Sequence, residues 1–243
     1  NELPDCDIIS WNTLIVGYAN HGHNEEAIVH FELMQSKGVS ADVVTLMFIL
    51  KACHDIGATK KEQAIFRKIE KTRYLERDQL LGGTLVDILV KKGSLLLAQQ
   101  VFDMLPVRDS VLWTSLIAGY VQHGQSHEAI NCFERMRRDG ISPDTVSFIC
   151  ILKACAAGRL IDEGKKIHEE IVHMGLLEKD IILGNALVDM YAKCGALETA
   201  QRVLGALPMA NVVSWSALIM GFTNQGQCVE AIDCFERMKR EGH

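Results

Sequence analysis

The sequence predicts an all-α fold, an α-solenoid of stacked helix-turn-helix repeats. Three observations point to it. The phrases "IISWNTLIVGY" from Ile8, "SVLWTSLIAGY" from Ser110 and "VVSWSALIMGF" from Val212 set Trp11, Trp113 and Trp215 at a constant spacing of 102 residues. Apolar residues recur at i, i+3, i+4 and i+7 in Ala27, Ile28, Phe31 and Met34, and again in Ala129, Ile130, Phe133 and Met136, which is the stripe of an amphipathic helix. Only four prolines and a 6% aromatic share accompany 48% apolar residues, so long helical runs stand uninterrupted.

Within each 102-residue unit the apolar pattern restarts three times. This divides the chain into segments 8–42, 43–78 and 79–109, then 110–144, 145–180 and 181–211, with an incomplete one at 212–243. Their lengths run 35, 36 and 31, enough for two helices and a short joint each. In the first, a helix is expected from Ser10 to about Asn20, a turn at Gly22, and a second helix from Glu25 to Lys37 closed by Gly38, where a left-handed stop costs glycine little. Gly140 and Gly242 close their segments in the same way. The two full units agree at Leu14/Leu116, Gly17/Gly119, Tyr18/Tyr120, Phe31/Phe133, "LKAC" at Leu50 and Leu152, and Asp87/Asp189. One helix pair cannot bury its own stripe, so successive pairs must stack, and a small regular rotation between them makes a superhelix with a concave face. The Met and Phe stripes are therefore core.

Composition excludes several functions. A net charge of −6 argues against non-specific polyanion binding, DNA included. No apolar stretch reaches membrane-spanning length, so a soluble chain is expected. The chain begins at Asn1 with no Arg-rich leader or signal sequence, which places any address label outside this stretch. Of eight cysteines, Cys53/Cys155 and Cys132/Cys234 follow the 102-residue period, as buried reduced thiols would. "HEEIVH" at His168 spaces its histidines by five, off a common helical face, unlike the four of a zinc-protease helix. The same "HEE" lacks the C-x-x-C that a cytidine deaminase needs. "GRLIDEGKK" at Gly158 has one residue too many for a phosphate loop and no Ser/Thr after its lysines. No metal, cofactor or catalytic constellation is expected.

The phrases "ISWNTLIVGYANHGHNEEAIVHFELMQSKG", "LKACAAGRLIDEGKKIHEEIVHMG" and "GNALVDMYAKCGALETAQRVLGALP" resemble the pentatricopeptide repeat family. The 35, 36 and 31 lengths are similar to its plant subclass of alternating standard, long and short motifs, and residues 1–7 align as the tail of a preceding short motif. The resemblance implies a right-handed superhelix in which each repeat faces one base of single-stranded RNA. The base would be read by the fifth and last residues of each motif and clamped by the second.

Carried onto this sequence, the fifth positions are Asn12, Met47, Gly83, Thr114, Ile149, Asn185 and Ser216, and the last are Asp42, Asp78, Asp109, Asp144, Asp180 and Asn211. The family's preferences imply U at Asn12 with Asp42, G at Thr114 with Asp144, C or U at Asn185 with Asn211, and a purine at Ser216. Met47 and Ile149 cannot hydrogen-bond a base and Gly83 has no side chain, which marks those repeats as spacers. The second positions, Ile9, Val44, Leu80, Val111, Val146, Ile182 and Val213, are all aliphatic. They suit either a clamp on the base or a plain apolar anchor in the first helical turn. Lys91 and Lys193 are candidate phosphate contacts, or solvated surface lysines.

The subclass implies the recognition part of a C-to-U RNA editing factor in a chloroplast or mitochondrion, with single-stranded organellar RNA as partner. A deaminase-like domain would follow the array or be recruited in trans, and a small editing-factor protein would bind the long motifs. The alternative is a scaffold that docks a protein partner in its concave groove, for which the −6 charge and the apolar Met47 and Ile149 speak.

Overall fold

The structure, a computed structural model, describes residues 7–72, 79–178, 180–208 and 210–242. Fourteen helices form among the described residues, in seven pairs. They are α1 (Ile8–Asn20) with α2 (Asn24–Ser36), α3 (Val43–Asp55) with α4 (Thr59–Thr72), and α5 (Gln79–Lys91) with α6 (Leu95–Met104). Next come α7 (Ser110–Gln122) with α8 (Ser126–Arg138) and α9 (Thr145–Gly158) with α10 (Ile161–His173). The last are α11 (Ile181–Lys193) with α12 (Leu197–Ala206) and α13 (Val212–Asn224) with α14 (Cys228–Arg240). The chain forms two compact units, residues 1–107 and 108–243.

The first and second helices of a pair start by different means. First helices start on a side-chain cap: Asp7, Asp42, Asp109, Asp144, Asp180 and Asn211 each accept from backbone N–H groups of the first turn. Such a cap satisfies donors that the helix cannot pair itself. The cap at Asp7 moves the start of α1 two residues ahead of the expected Ser10. Asp78, which precedes α5, lies outside the described residues. Second helices start from a turn instead. In all seven pairs a backbone N–H just past the turn reaches back to a carbonyl in the last turn of the first helix, as in His23 to Tyr18 at 3.0 Å and Gln125 to Tyr120 at 2.9 Å. Bonds of this kind close a helix on a left-handed residue.

In the unit 1–107, α1 packs on α2 and α3, α3 on α4, and α5 on α6. In the unit 108–243 the first helices form a row, α7 on α9, α9 on α11 and α11 on α13, each with its partner helix alongside. The stripes expected to be core are core: Phe31, Met34, Phe133 and Met136 are buried, as are all three tryptophans. Helices approach closely where the sequence writes Gly82 and Gly184. A Cβ there would stand 2.2 Å from Leu105 Cδ2 and 2.6 Å from Leu207 Cδ2, closer than packed atoms come. Among the described residues, no helix is long and apolar enough to cross a membrane.

Candidate nucleic-acid interface

The second position of each first helix shows an unusual burial pattern. Ile9, Val111, Ile182 and Val213 are 60–69% exposed, Val146 56% and Val44 39%. An apolar anchor would be buried, as Trp11, Trp113 and Trp215 are two residues further on. The six described second positions instead stand in solvent, one on each first helix except α5. Nothing is described of the Leu80 side chain. A run of aliphatic groups repeated in water at fixed spacing leaves apolar surface without a partner.

Three residues later, almost one turn on and so beside the second position, lie the fifth positions. Asn12 is half-buried, and its Nδ2 donates to Asp42 Oδ2 at 2.5 Å. The other carboxylate oxygen of Asp42 accepts from Thr45 N at 2.8 Å. Asp42 thus caps α3 with one oxygen and holds Asn12 with the other. Asn12 Oδ1 is buried without a hydrogen-bond partner.

Thr114 reaches its acid by a different route. It is buried, and its Oγ1 shares a 2.6 Å hydrogen bond with Ser147 Oγ, which in turn donates to Asp144 Oδ1 at 2.7 Å. Thr114 and Asp144 are thus joined through Ser147, the shorter threonine side chain meeting the bridging hydroxyl where Asn12 meets its acid directly. Asn185 departs further, since no hydrogen bond joins it to Asn211 among the described residues. Asn211 Oδ1 is taken by Val213 N and Ser214 N, each at 3.0 Å. Asn185 Oδ1, like that of Asn12, is buried without a partner. Ser216 is exposed.

Of the positions read as spacers, Gly83 and Ile149 are half-buried, while Met47 is fully in the core. Met47 therefore offers no apolar surface to a docking protein. Sequence reasoning missed two things here, the capping role of the last positions and the bridging hydroxyl of Ser147. The signal was present in Asp7-x-x-Ser10, Asp42-x-x-Thr45, Asp144-x-x-Ser147 and Asn211-x-x-Ser214, each just ahead of an apolar run.

Lys193 is exposed and donates to Asp189 Oδ2 at 2.8 Å, and Lys91 is also exposed. No group of three or more His, Cys, Asp or Glu side chains stands ready to hold a metal among the described residues. His168 Nδ1 faces Tyr191 Oη at 2.9 Å and burial lowers its pKa. The described cysteines are free thiols, and burial pushes Cys155 up to about 12, far from a nucleophilic thiolate. Cys53, Cys132, Cys155 and Cys234, the four on the 102-residue period, are buried as expected, and Cys228, which opens α14, is exposed.

The PPR repeat family matches residues 7–55 and 108–157, and the PPR repeat matches residues 213–243. The pentatricopeptide repeat-containing protein At2g33680 of Arabidopsis thaliana is 36% identical over 98% of this chain and 32% of its own length. Two others from that plant, the chloroplastic At4g18520 and the mitochondrial At2g03880, are 35% and 33% identical over 99% and 100% of this chain and 40% and 37% of their own. The chain thus spans between about a third and two fifths of the length of these curated relatives. Among solved structures, the pentatricopeptide repeat protein PPR10 from maize matches with a TM-score of 0.53 at 21% identity, over 99% of this chain and 40% of that one. PPR10 in complex with an 18-nt psaJ RNA element matches with a TM-score of 0.51 at 21% identity, over 98% and 41%. At that identity the likeness is one of fold, a solenoid of stacked helix-turn-helix repeats.

Proposed function

The chain belongs to the pentatricopeptide repeat family, and from that premise we propose that it binds single-stranded RNA, one base to each reading repeat. The observation that carries the proposal is the exposure of Ile9, Val44, Val111, Val146, Ile182 and Val213. Flat bases slotted between these aliphatic groups would remove their apolar surface from water, and every base has such a face whatever its edge. Identity is then read beside the clamp. The orphaned amide oxygens of Asn12 and Asn185 are acceptors for a base N–H once the side chains turn outward, which would lift the cost of roughly 1–3 kcal/mol for an unmet buried acceptor. The fold also supports this reading, since a protein that shares it was solved with an 18-nt RNA element.

The repeats divide at 8–42, 43–78, 79–109, 110–144, 145–180, 181–211 and 212–243, with 1–7 the tail of a preceding short repeat in the alternating-length subclass. The array reads U at Asn12 with Asp42, G at Thr114 with Asp144, C or U at Asn185 with Asn211 and a purine at Ser216, with spacers between. Lys91 and Lys193 touch phosphates. The chain supplies recognition in an organellar C-to-U editing factor, in a chloroplast or mitochondrion as the names of its relatives suggest. Deamination is carried out by another domain or protein, and a small editing-factor protein docks on the long repeats.

A salt-titrated binding assay tests the reading. The RNA carries U, G and C at the expected register and is compared with one in which G is replaced by U, using wild type and Thr114→Asn. Wild type should prefer G, and the substitution should move the preference toward U. Binding with no base preference in either protein would refute one-repeat-one-base reading, and no RNA binding at low salt would favour a protein partner.

A further inference from the structure

Seven turns join the helices of the seven pairs, and each pivots on one residue in the left-handed region. Six of these are glycines, Gly22, Gly57, Gly93, Gly124, Gly195 and Gly226, with φ between 69° and 85°. The seventh is Arg159, at φ 54° and ψ 38°, the only non-glycine residue with positive φ among the described residues. A side chain in this region crowds its own backbone carbonyl, a strain that glycine avoids. The equivalent turn in the other unit, 102 residues earlier, has Gly57.

Packing does not repay that cost. Arg159 is exposed, and its guanidinium makes no hydrogen bond or ion pair among the described residues. It lines a cavity of about 300 Å³ where the C-terminal ends of α9, α11 and α13 meet, together with Lys193, Cys194, Asn224 and Gln225. Lys193 is already bonded to Asp189, and Gln225 Nε2 donates to the Gly195 carbonyl at 3.1 Å. Arg159 is therefore the uncompensated charge of the cavity; burial pushes the Cys194 thiol up, and the Arg159 charge offsets part of that push. No aromatic side chain lines the cavity, so it offers a base nothing to stack on. It offers instead a planar fork of donors, a second cation and the Asn224 amide, a set suited to phosphate oxygens.

We propose that Arg159 binds a phosphodiester group of the RNA backbone in this cavity, adding its guanidinium to the phosphate contact of Lys193. This rests on the RNA-binding reading and adds to it a site on the turn of a long repeat, whose fifth residue, Ile149, reads no base. Lys193 stands eight residues beyond Asn185 on α11, and Asn224 eight beyond Ser216 on α13, each roughly 12 Å along its helix. Backbone and bases are thus held at opposite ends of the same first helices. The long repeat between them fixes register on the strand without reading sequence.

The test uses Arg159→Gly, which removes the guanidinium and restores the residue found at the other six turns. Its thermal midpoint should be unchanged or higher than wild type, so a binding loss cannot come from unfolding. The slope of log affinity against log salt for the RNA should become shallower by about 0.7, the value for one phosphate contact on a single strand. Arg138→Gln, which removes a cation from the exposed end of α8, should leave the slope as it was. Inorganic pyrophosphate should raise the thermal midpoint of wild type and not that of Arg159→Gly. Where RNA binds, the salt slope decides: equal slopes for wild type and Arg159→Gly, or an equal drop in Arg138→Gln, would overturn the pocket and leave the RNA reading standing. Where wild type binds no RNA, pyrophosphate decides: a response that needs Arg159 keeps the anion site and fails the RNA reading, and a response shared by both proteins, or absent from both, overturns the site.

Discussion

The first and fourth repeats meet the same requirement in two ways. In the first, Asn12 reaches Asp42 directly at 2.5 Å, and Thr45, three residues after the acid, has a buried Oγ1 without a partner. In the fourth, Thr114 is too short, and Ser147, at the place equivalent to Thr45, closes the gap with bonds of 2.6 and 2.7 Å. The frames are alike, with Trp11 and Trp113 both buried beside the fifth position. The comparison shows that the hydroxyl at the third residue of the following helix is a spare part. It is idle when the fifth residue is long and engaged when it is short.

The largest effect should come from the shared frame. Trp113→Ala is expected to cost roughly 3–5 kcal/mol in urea denaturation, and a loss under 1 kcal/mol would mean that the phrase around the fifth residue does not hold it. Next is Asp42→Ala, which removes both the cap of α3 and the partner of Asn12. It should destabilise by about 1–2 kcal/mol, whereas Asp42→Asn keeps the cap and should lose less than half of that. Equal losses for the two would show that the charge, and not the cap, is what matters.

The relay itself sharpens the comparison. Ser147→Ala should cost roughly 1 kcal/mol because it strands Thr114 Oγ1 and leaves Asp144 Oδ1 with only the backbone N–H of residue 147. Thr45→Val replaces a hydroxyl that bonds nothing and should be neutral or stabilising. If both substitutions destabilise alike, the two repeats do not differ as described. Smaller still is Val111→Ala, which should change stability by less than about 0.5 kcal/mol because the side chain is 69% exposed. It should nonetheless weaken RNA binding several-fold, and undiminished affinity would argue against a clamp.

The smallest effect concerns pH. Burial lowers the pKa of His168, so the unfolded chain binds the proton more readily than the folded one. Stability should therefore fall as pH drops below about 6.5, the ordinary histidine value, and be flat in this respect above it. His168→Phe, which copies Phe66 of the first unit, should flatten the denaturation midpoint between pH 7 and 5. An unchanged slope would place the titrating group elsewhere.

Most of the fold was legible because its signals are local and repeated. Trp11, Trp113 and Trp215 fix the period, Gly38 and Gly140 the helix stops, and Phe31 and Phe133 the buried stripe. The second positions were legible in kind but not in direction. An aliphatic residue in a first helical turn reads the same whether it points inward or outward, and only the stacking of neighbouring helices leaves Ile9 and Val111 in solvent. Ser147 was hidden for a different reason. A serine three residues after an aspartate reads as part of a cap, and its second bond runs to Thr114, 33 residues away in sequence. Arg159 sat in view within "GRLIDEGKK", but the stretch does not match a phosphate loop, and the left-handed backbone that singles it out is not written in the residue name.

Under the proposed reading, the cap on each described first helix has a further consequence for how such a protein could change its target. The residue that ends one repeat also launches the next helix, so its choices are limited to side chains that can accept from a helix N-terminus. The described examples are aspartates and one asparagine. The fifth position has no such second duty, and across the seven repeats it is Asn, Met, Gly, Thr, Ile and Ser. New targets should therefore arise by free variation at one position against a two-letter alphabet at the other, and a third letter there would have to begin a helix before it could recognise anything.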